Sequence, residues 1–157
     1  MNWLIFALGA LLAWGAYGPA LHGGQAGFTG FAREVQSLKA ILCVGVAYFF
    51  VAVVVPAIIL STKGQLAGFP MKGAAYSTLS GVLGAVGAIC IAWAFKEGGK
   101  PLIVMPLVFG GAPVVNAIIS TISHPPEGGL KSVNPLLYVG LVMVAAGAAM
   151  VLKFKPA

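Results

Sequence analysis

The sequence predicts an all-α membrane protein with five transmembrane helices, the fourth of them kinked or broken between Pro106 and Pro113. The chain has 157 residues, of which 60% are hydrophobic and 8% are charged, and its mean hydropathy is +1.01. A soluble domain carries about 25% charged residues, so the charges here are too few to cover a surface in water. The apolar residues also gather into runs of the roughly 20 residues that a helix needs to cross a bilayer.

The predicted spans form a single transmembrane domain over residues 1–157. They cover about residues 3–21, 38–60, 76–95, 102–122 and 136–152. Glycine, proline and polar residues fill the connections between them, as is usual for turns. The third connection, Lys96–Pro101, is so short that the third and fourth spans must be antiparallel neighbours.

The basic residues predict an orientation, because cytoplasmic loops carry an excess of lysine and arginine. An odd number of spans places the two chain ends on opposite sides of the membrane. The side of the C-terminus carries Arg33, Lys39, Lys96, Lys100, Lys153 and Lys155, and the other side carries Lys63, Lys72 and Lys131. We therefore expect an integral protein of the bacterial inner membrane with a cytoplasmic C-terminus. The bias is moderate, and insertion in both orientations is the alternative.

The fourth span contains the strongest candidate for a functional site. Pro106 and Pro113 are near two helical turns apart, so they share one side of the helix, and each removes a backbone hydrogen bond. Gly110 and Gly111 lie between them. Small transporters place binding sites at such broken helices, and the amide of Asn116 both donates and accepts hydrogen bonds. These residues predict a polar site on a substrate path. The alternative is a kinked helix whose Asn116 bonds a neighbouring helix, for about 1 kcal/mol.

Aromatic residues supply the other candidate contacts. Trp14 and Tyr17 lie three residues apart in the first span, so they share a helical face. They either line a cavity, where their rings attract a cation, or belong to an interfacial aromatic belt. Tyr48 and Trp93 are further candidates, with core packing as the alternative. The predicted substrate-binding residues are Trp14, Tyr17, Tyr48, Trp93, Pro106, Gly110, Gly111, Pro113 and Asn116.

Small residues in the third span predict close helix packing. Gly81, Gly84 and Gly87 are three residues apart, and small residues allow membrane helices to approach closely. The sequence leaves open whether the partner helix belongs to the same chain or to another subunit. Cys43 and Cys90 stand in apolar runs, where we expect buried free thiols that pack as small apolar residues.

Residue types argue against an enzyme and against a metal site. The chain has no aspartate, and Glu34, Glu97 and Glu127 all fall at or beyond the span ends. His22 and His124 are far apart and lack the spacing of a zinc site. We therefore expect neither catalytic residues, nor a metal, nor a cofactor. The basic residues occur singly at the ends of apolar runs, as helix anchors do, so no nucleic-acid partner is expected.

Several of these stretches resemble a known family. Trp14-Gly15, Arg33 before the second span, Ala92-Trp-Ala-Phe-Lys-Glu-Gly-Gly99, Pro106-Leu-Val-Phe-Gly-Gly-Ala-Pro113 and Gly140-Leu-Val-Met-Val-Ala-Ala-Gly147 are similar to one five-span, EamA-like repeat of the drug/metabolite transporter superfamily. The resemblance covers nearly the whole chain. Full-length members carry two such repeats with the substrate path between them, so a single repeat implies a homodimer.

The resemblance also has a departure with chemical meaning. Four-span relatives in the small multidrug-resistance branch depend on a glutamate in the first span for proton-coupled export. The first span here has no acidic residue, which argues against proton-coupled exchange of cations.

Two functions follow as expectations. The first is a half-size membrane transporter of a small metabolite or drug-like solute, neutral or weakly polar, that works as a homodimer in the lipid bilayer. The second is a non-transporting structural or accessory subunit of a larger membrane complex. Membrane-buried ionisable groups usually mark ion pathways, and apart from Lys39 at the very start of the second span the predicted spans contain no charged residue. A membrane enzyme or lipid-handling protein is a third and weaker expectation.

Overall fold

The computed structural model describes residues 3–129 and 132–155. Throughout these residues the regular secondary structure is helical. Five helices are long and apolar enough to cross a membrane: α1 (Trp3–Gly27), α2 (Arg33–Thr62), α3 (Met71–Lys96), α4 (Pro101–Ser123) and α5 (Pro135–Lys153). The prediction of an all-α membrane protein with five spanning helices is confirmed. Lys131, one of the residues used to predict orientation, lies outside the described residues.

The first helix is longer than the sequence predicts. Hydropathy ends the first span near residue 21, yet α1 continues to Gly27 through the polar stretch that begins at His22. Leu21 and Gln25 are buried on this last part of α1. Tertiary contacts therefore extend the helix where apolar character alone would end it. The other four helices begin and end within five residues of their predicted limits.

The second helix contains a π-helical segment that the sequence does not predict. Residues Phe49–Val54 form it, and the N–H of Val55 bonds the carbonyl of Phe50, five residues earlier. Pro56 follows at once and has no N–H to donate. The wider π turn places an extra residue in the helix just before the proline, and helical structure continues to Thr62.

The predicted break in the fourth helix is not seen. α4 runs as one helix from Pro101 to Ser123, with Pro106 and Pro113 inside it. Each proline removes one hydrogen bond, but the bonds of the neighbouring residues keep the helix continuous. The two prolines therefore do not divide α4 into two half-helices.

Contacts group the chain into two compact units, residues 1–98 and residues 99–157. Unit 1 contains α1, α2 and α3, and unit 2 contains α4 and α5. The single-domain organisation stays a prediction.

Unit 1 is packed at one end only. Its buried residues are Gly18, Leu21 and Gln25 of α1, Ser37 and Ala40 of α2, and Ala88, Ile91, Ala92 and Phe95 of α3. They lie where α1 ends, α2 begins and α3 ends, which we call the closed end. Among the described residues, 3–17, 41–62 and 71–87 include no buried one, and we call this part of unit 1 the open half.

Unit 2 is a helix pair whose contact depends on one glycine. Gly110 of α4 is buried, and a Cβ placed on it would overlap the side chain of Ala148 in α5 and come within 3.3 Å of the Val144 carbonyl oxygen. A Cβ on the neighbouring Gly111 would meet no atom within 4 Å. Gly110 therefore sets how closely α4 and α5 approach, as small residues do in membrane helix pairs.

The cysteines lie differently from the expectation of burial, while the close packing expected for the glycines of α3 stays a prediction. Cys43 and Cys90 are free thiols, as predicted, but both are exposed. A Cβ on Gly81, Gly84 or Gly87 would meet nothing within 4 Å. Within the described part of unit 1, the small face of α3 thus has no close neighbour.

Candidate functional site

The predicted aromatic residues of the first two helices lie along a seam in unit 1 (Trp14, Tyr17 and Tyr48). Trp14 precedes the buried Gly18 by four residues, and Tyr17 precedes the buried Leu21 by four, so both continue the packed face of α1 into the open half. The Tyr17 and Tyr48 side chains are close enough to interact electrostatically. The structure thus brings together two predicted site residues from different helices.

The Tyr17 hydroxyl is the most unusual polar group of this seam. It is buried and has no hydrogen-bond partner among the described residues. Buried polar groups are nearly always paired, and leaving one unpaired in a lipid environment costs free energy. Trp14 and Tyr48, by contrast, are 53% and 48% exposed. Tyr17 thus carries a buried hydroxyl without a partner, while the other two aromatic residues of the seam are exposed.

Beneath this seam, at the closed end, lies a group of hydrogen bonds that we call the polar clasp (Gln25, Ser37 and the Ala92 carbonyl). The amide nitrogen of Gln25 donates to the Ser37 hydroxyl at 3.0 Å and to the Ala92 carbonyl at 2.9 Å. The Ser37 hydroxyl donates in turn to the Arg33 carbonyl at 3.0 Å. Gln25 and Ser37 are 6% and 1% exposed. One side chain therefore joins all three helices of unit 1.

Charged and aromatic groups surround the clasp. The Arg33 guanidinium donates to the Lys96 carbonyl at 3.4 Å, which joins the start of α2 to the end of α3. The Lys39 ammonium lies 3.1 Å from the centre of the Phe31 ring, a favourable cation–π position. The His22 ring meets the Phe95 ring edge to face, with 5.4 Å between their centres. These contacts give the closed end a polar border.

Trp93 occupies a different place from the other aromatic candidates. It lies in the last turns of α3, half-buried, and the Lys96 ammonium is 5.7 Å from the centre of its ring. Its position one residue after Ala92 puts it beside the closed end. A role in substrate binding stays a prediction for this residue.

The other five predicted residues belong to unit 2. Gly110 is buried against α5, while Pro106, Gly111 and Pro113 are half-buried. Asn116 is exposed, with its amide on the surface of a helix long and apolar enough to span the membrane. An exposed amide at this depth is costly in lipid, so it calls for a polar partner from outside its own helix.

An open groove lies on α2 in unit 1. It has a volume of about 440 Å³ and is lined by residues between Val53 and Thr62 together with Leu66. Its lining is mostly apolar, and it includes none of the predicted site residues. Gly64, with a φ of +65°, turns the chain back at the end of α2, a conformation that suits glycine.

No protein-family model, curated protein or solved structure matches the chain. The similarity to an EamA-like repeat therefore stands on the residues quoted for it and stays a prediction.

The sequence did not identify Gln25 and Ser37 as candidates. Gln25 stands in a glycine-rich stretch that hydropathy assigns to a connection, and Ser37 precedes the predicted start of the second span. A helical pattern supplied the only available signal: Gly18, Leu21 and Gln25 recur at spacings of three and four, as residues on one helix face do.

Proposed function

We propose that the chain is a half-size transporter that moves a small, neutral or weakly polar solute across a bacterial inner membrane as a homodimer. The observation that carries the proposal is the seam of unit 1. There a buried hydroxyl without a partner, on Tyr17, lies beside exposed aromatic side chains at membrane depth. Such an arrangement costs stability, and groups kept at a cost are typical of functional sites.

The charge of the spans favours a neutral solute. Within the described helices the only acidic residue is Glu34, in the first turn of α2. A cation at the depth of Tyr17 would find aromatic faces but no carboxylate to balance its charge. Hydroxyl and amide groups suit a solute that carries hydrogen-bonding groups and no net charge.

A homodimer accounts for the small-residue surface of α3. Among the described residues of unit 1, nothing lies within 4 Å of a Cβ placed on Gly81, Gly84 or Gly87. A second copy would supply a close-packing partner for these glycines. The resemblance to one repeat of a two-repeat transporter leads to the same stoichiometry.

The first test of this function is a solute panel. Purified protein in lipid vesicles should exchange or leak at least one member of a panel of sugars, nucleosides, amino acids and amines, measured against empty vesicles. If every member is retained at the rate of empty vesicles, the transport proposal fails.

Asn116→Ala provides a residue-level test on the solute that passes. We expect transport to fall about tenfold, the effect of losing one well-placed hydrogen bond, with little change in melting temperature. Ile118→Ala is the matched control, because Ile118 is 57% exposed and lies on the opposite side of the same helix. Equal losses of transport and stability in the asparagine variant would instead assign Asn116 to helix packing.

An accessory subunit of a larger complex is the second candidate. The open faces of Gly81, Gly84 and Gly87 favour it equally well, since they would also suit docking on a different chain. The mass of the detergent-solubilised protein separates the two functions. Roughly twice 16.0 kDa supports the homodimer, while stable co-purification with other chains supports the accessory role.

A further inference from the structure

We propose that the polar clasp is the gate that closes one end of the transport path in unit 1. This inference rests on the proposed function and extends it by naming the contacts that must separate when the path opens at that end. It follows from where unit 1 is packed and from what kind of contact packs it.

The packing of unit 1 is confined to the closed end. The buried residues of α1, α2 and α3 all lie there. In the described open half no whole residue is buried, although the hydroxyl of Tyr17 is covered. A path along the seam would therefore be blocked at the closed end and accessible toward the open half. This is the asymmetry expected of one state of an alternating-access carrier.

The hydrogen bonds at the block can be exchanged for water. Gln25 alone bonds both other helices of unit 1, through the Ser37 hydroxyl and the Ala92 carbonyl. Leu21, Ile91 and Phe95 are buried at the same end, and separating them would expose apolar surface at a cost. The hydrogen bonds of the clasp can separate while water replaces the lost partners, so the clasp is the part of the closed end that can open at small cost.

The border of the clasp is built in the same way. Arg33 joins α2 to the end of α3 by one hydrogen bond to the Lys96 carbonyl, and the Lys96 ammonium pairs with Glu97 at 3.2 Å. Arg33 begins α2 and Lys96 ends α3, so both lie at helix ends near the membrane surface, where water is available. The border therefore does not prevent the clasp from opening.

Chemical labelling tests this gate without any solute. A cysteine is placed at Ala88, which is 8% exposed and lies about 12 Å inside Lys96 along α3, in a chain whose Cys43 and Cys90 are replaced by alanine. A membrane-impermeant maleimide is then applied from the Lys96 side of oriented vesicles. Gln25→Ala should speed labelling about tenfold, the effect of losing one or two net hydrogen bonds on an opening equilibrium.

Gln36→Ala is the matched control for this substitution. The Gln36 amide also donates a hydrogen bond, to the Phe31 carbonyl at 2.9 Å, but it joins no second helix, so labelling should not change. A cysteine at the buried Met105 of unit 2 monitors general loosening and should stay protected when Gln25 is replaced. Labelling that rises equally at both positions would reduce the clasp to a structural contact.

Three further outcomes decide the proposal. An unchanged labelling rate in a folded Gln25→Ala protein would overturn the gate. If that variant does not fold, Ser37→Ala replaces it, because it removes the bond that joins α1 to α2, together with the Ser37–Arg33 bond within α2, and keeps the Gln25–Ala92 bond. About threefold faster labelling is then expected from the smaller loss, and no acceleration would overturn the gate. Faster labelling in a protein that passes no solute of the panel would leave the opening established and sink the transporter function instead.

Discussion

Gly110→Leu should strongly destabilise unit 2, whereas Gly111→Leu should leave its stability nearly unchanged. A Cβ at Gly110 overlaps the Ala148 side chain and lies against the backbone of α5 at Val144, so a larger residue forces the two helices apart. Overpacking of this kind costs about 1–3 kcal/mol, and more where a backbone must move. At Gly111 the added side chain enters open space. Thermal unfolding in detergent, followed by helical circular dichroism, measures both variants.

Comparing the two variants with each other removes the effect of leucine on helix stability. Leucine favours a helix over glycine by a similar amount at both positions, and the two positions are adjacent. Only the contact with α5 distinguishes them. Equal melting temperatures in the two variants would contradict the close approach of α4 and α5 at Gly110.

Tyr17→Phe should stabilise the protein and at the same time impair transport. The Tyr17 hydroxyl is buried without a partner, so its removal relieves a desolvation penalty of roughly 1–3 kcal/mol. The same change deletes the donor that the proposed site offers to a solute. We expect a higher melting temperature together with a transport rate lower by about tenfold. A tenfold loss is the effect of removing one hydrogen bond from the transition state of the transport step.

Tyr48→Phe is the control for the expected rise in melting temperature. Tyr48 is 48% exposed, so its hydroxyl carries no comparable penalty and its removal should not raise the melting temperature. A Tyr17→Phe protein that unfolds at a lower temperature than the parent would show that the hydroxyl has a partner in the folded protein. A stabilised variant with full transport would remove Tyr17 from the site.

The membrane architecture was predictable because it depends on composition and length. An apolar run of about 20 residues with few charges crosses a membrane as a helix. The sequence has five such runs, and each of them corresponds to one of the five helices. The π segment at Phe49–Val54 was not predictable in the same way, because its residues are as apolar as those of an ordinary helix. Pro56 was the one local sign that the hydrogen-bond pattern must change.

The candidate site was predictable only in part. Tyr17 was found because an aromatic residue with a polar tip stands out in an apolar span. Gln25 was missed because its burial depends on α2 and α3, which lie far away in the sequence. Of the two forms predicted for α4, a break at Pro106 and Pro113 is not seen, while a kink there stays a prediction. Proline weakens a helix locally, but flanking hydrogen bonds and packing decide whether the helix continues.

The π segment of α2 has a consequence for any comparison of its two ends. An extra residue in one turn rotates everything that follows by about 100° around the helix axis. Residues before Phe49 and residues after Val54 therefore belong on two separate helical wheels with a shifted phase. A single helical wheel that covers Ser37 to Ser61 would therefore assign the side chains after Val54 to the wrong face of the helix.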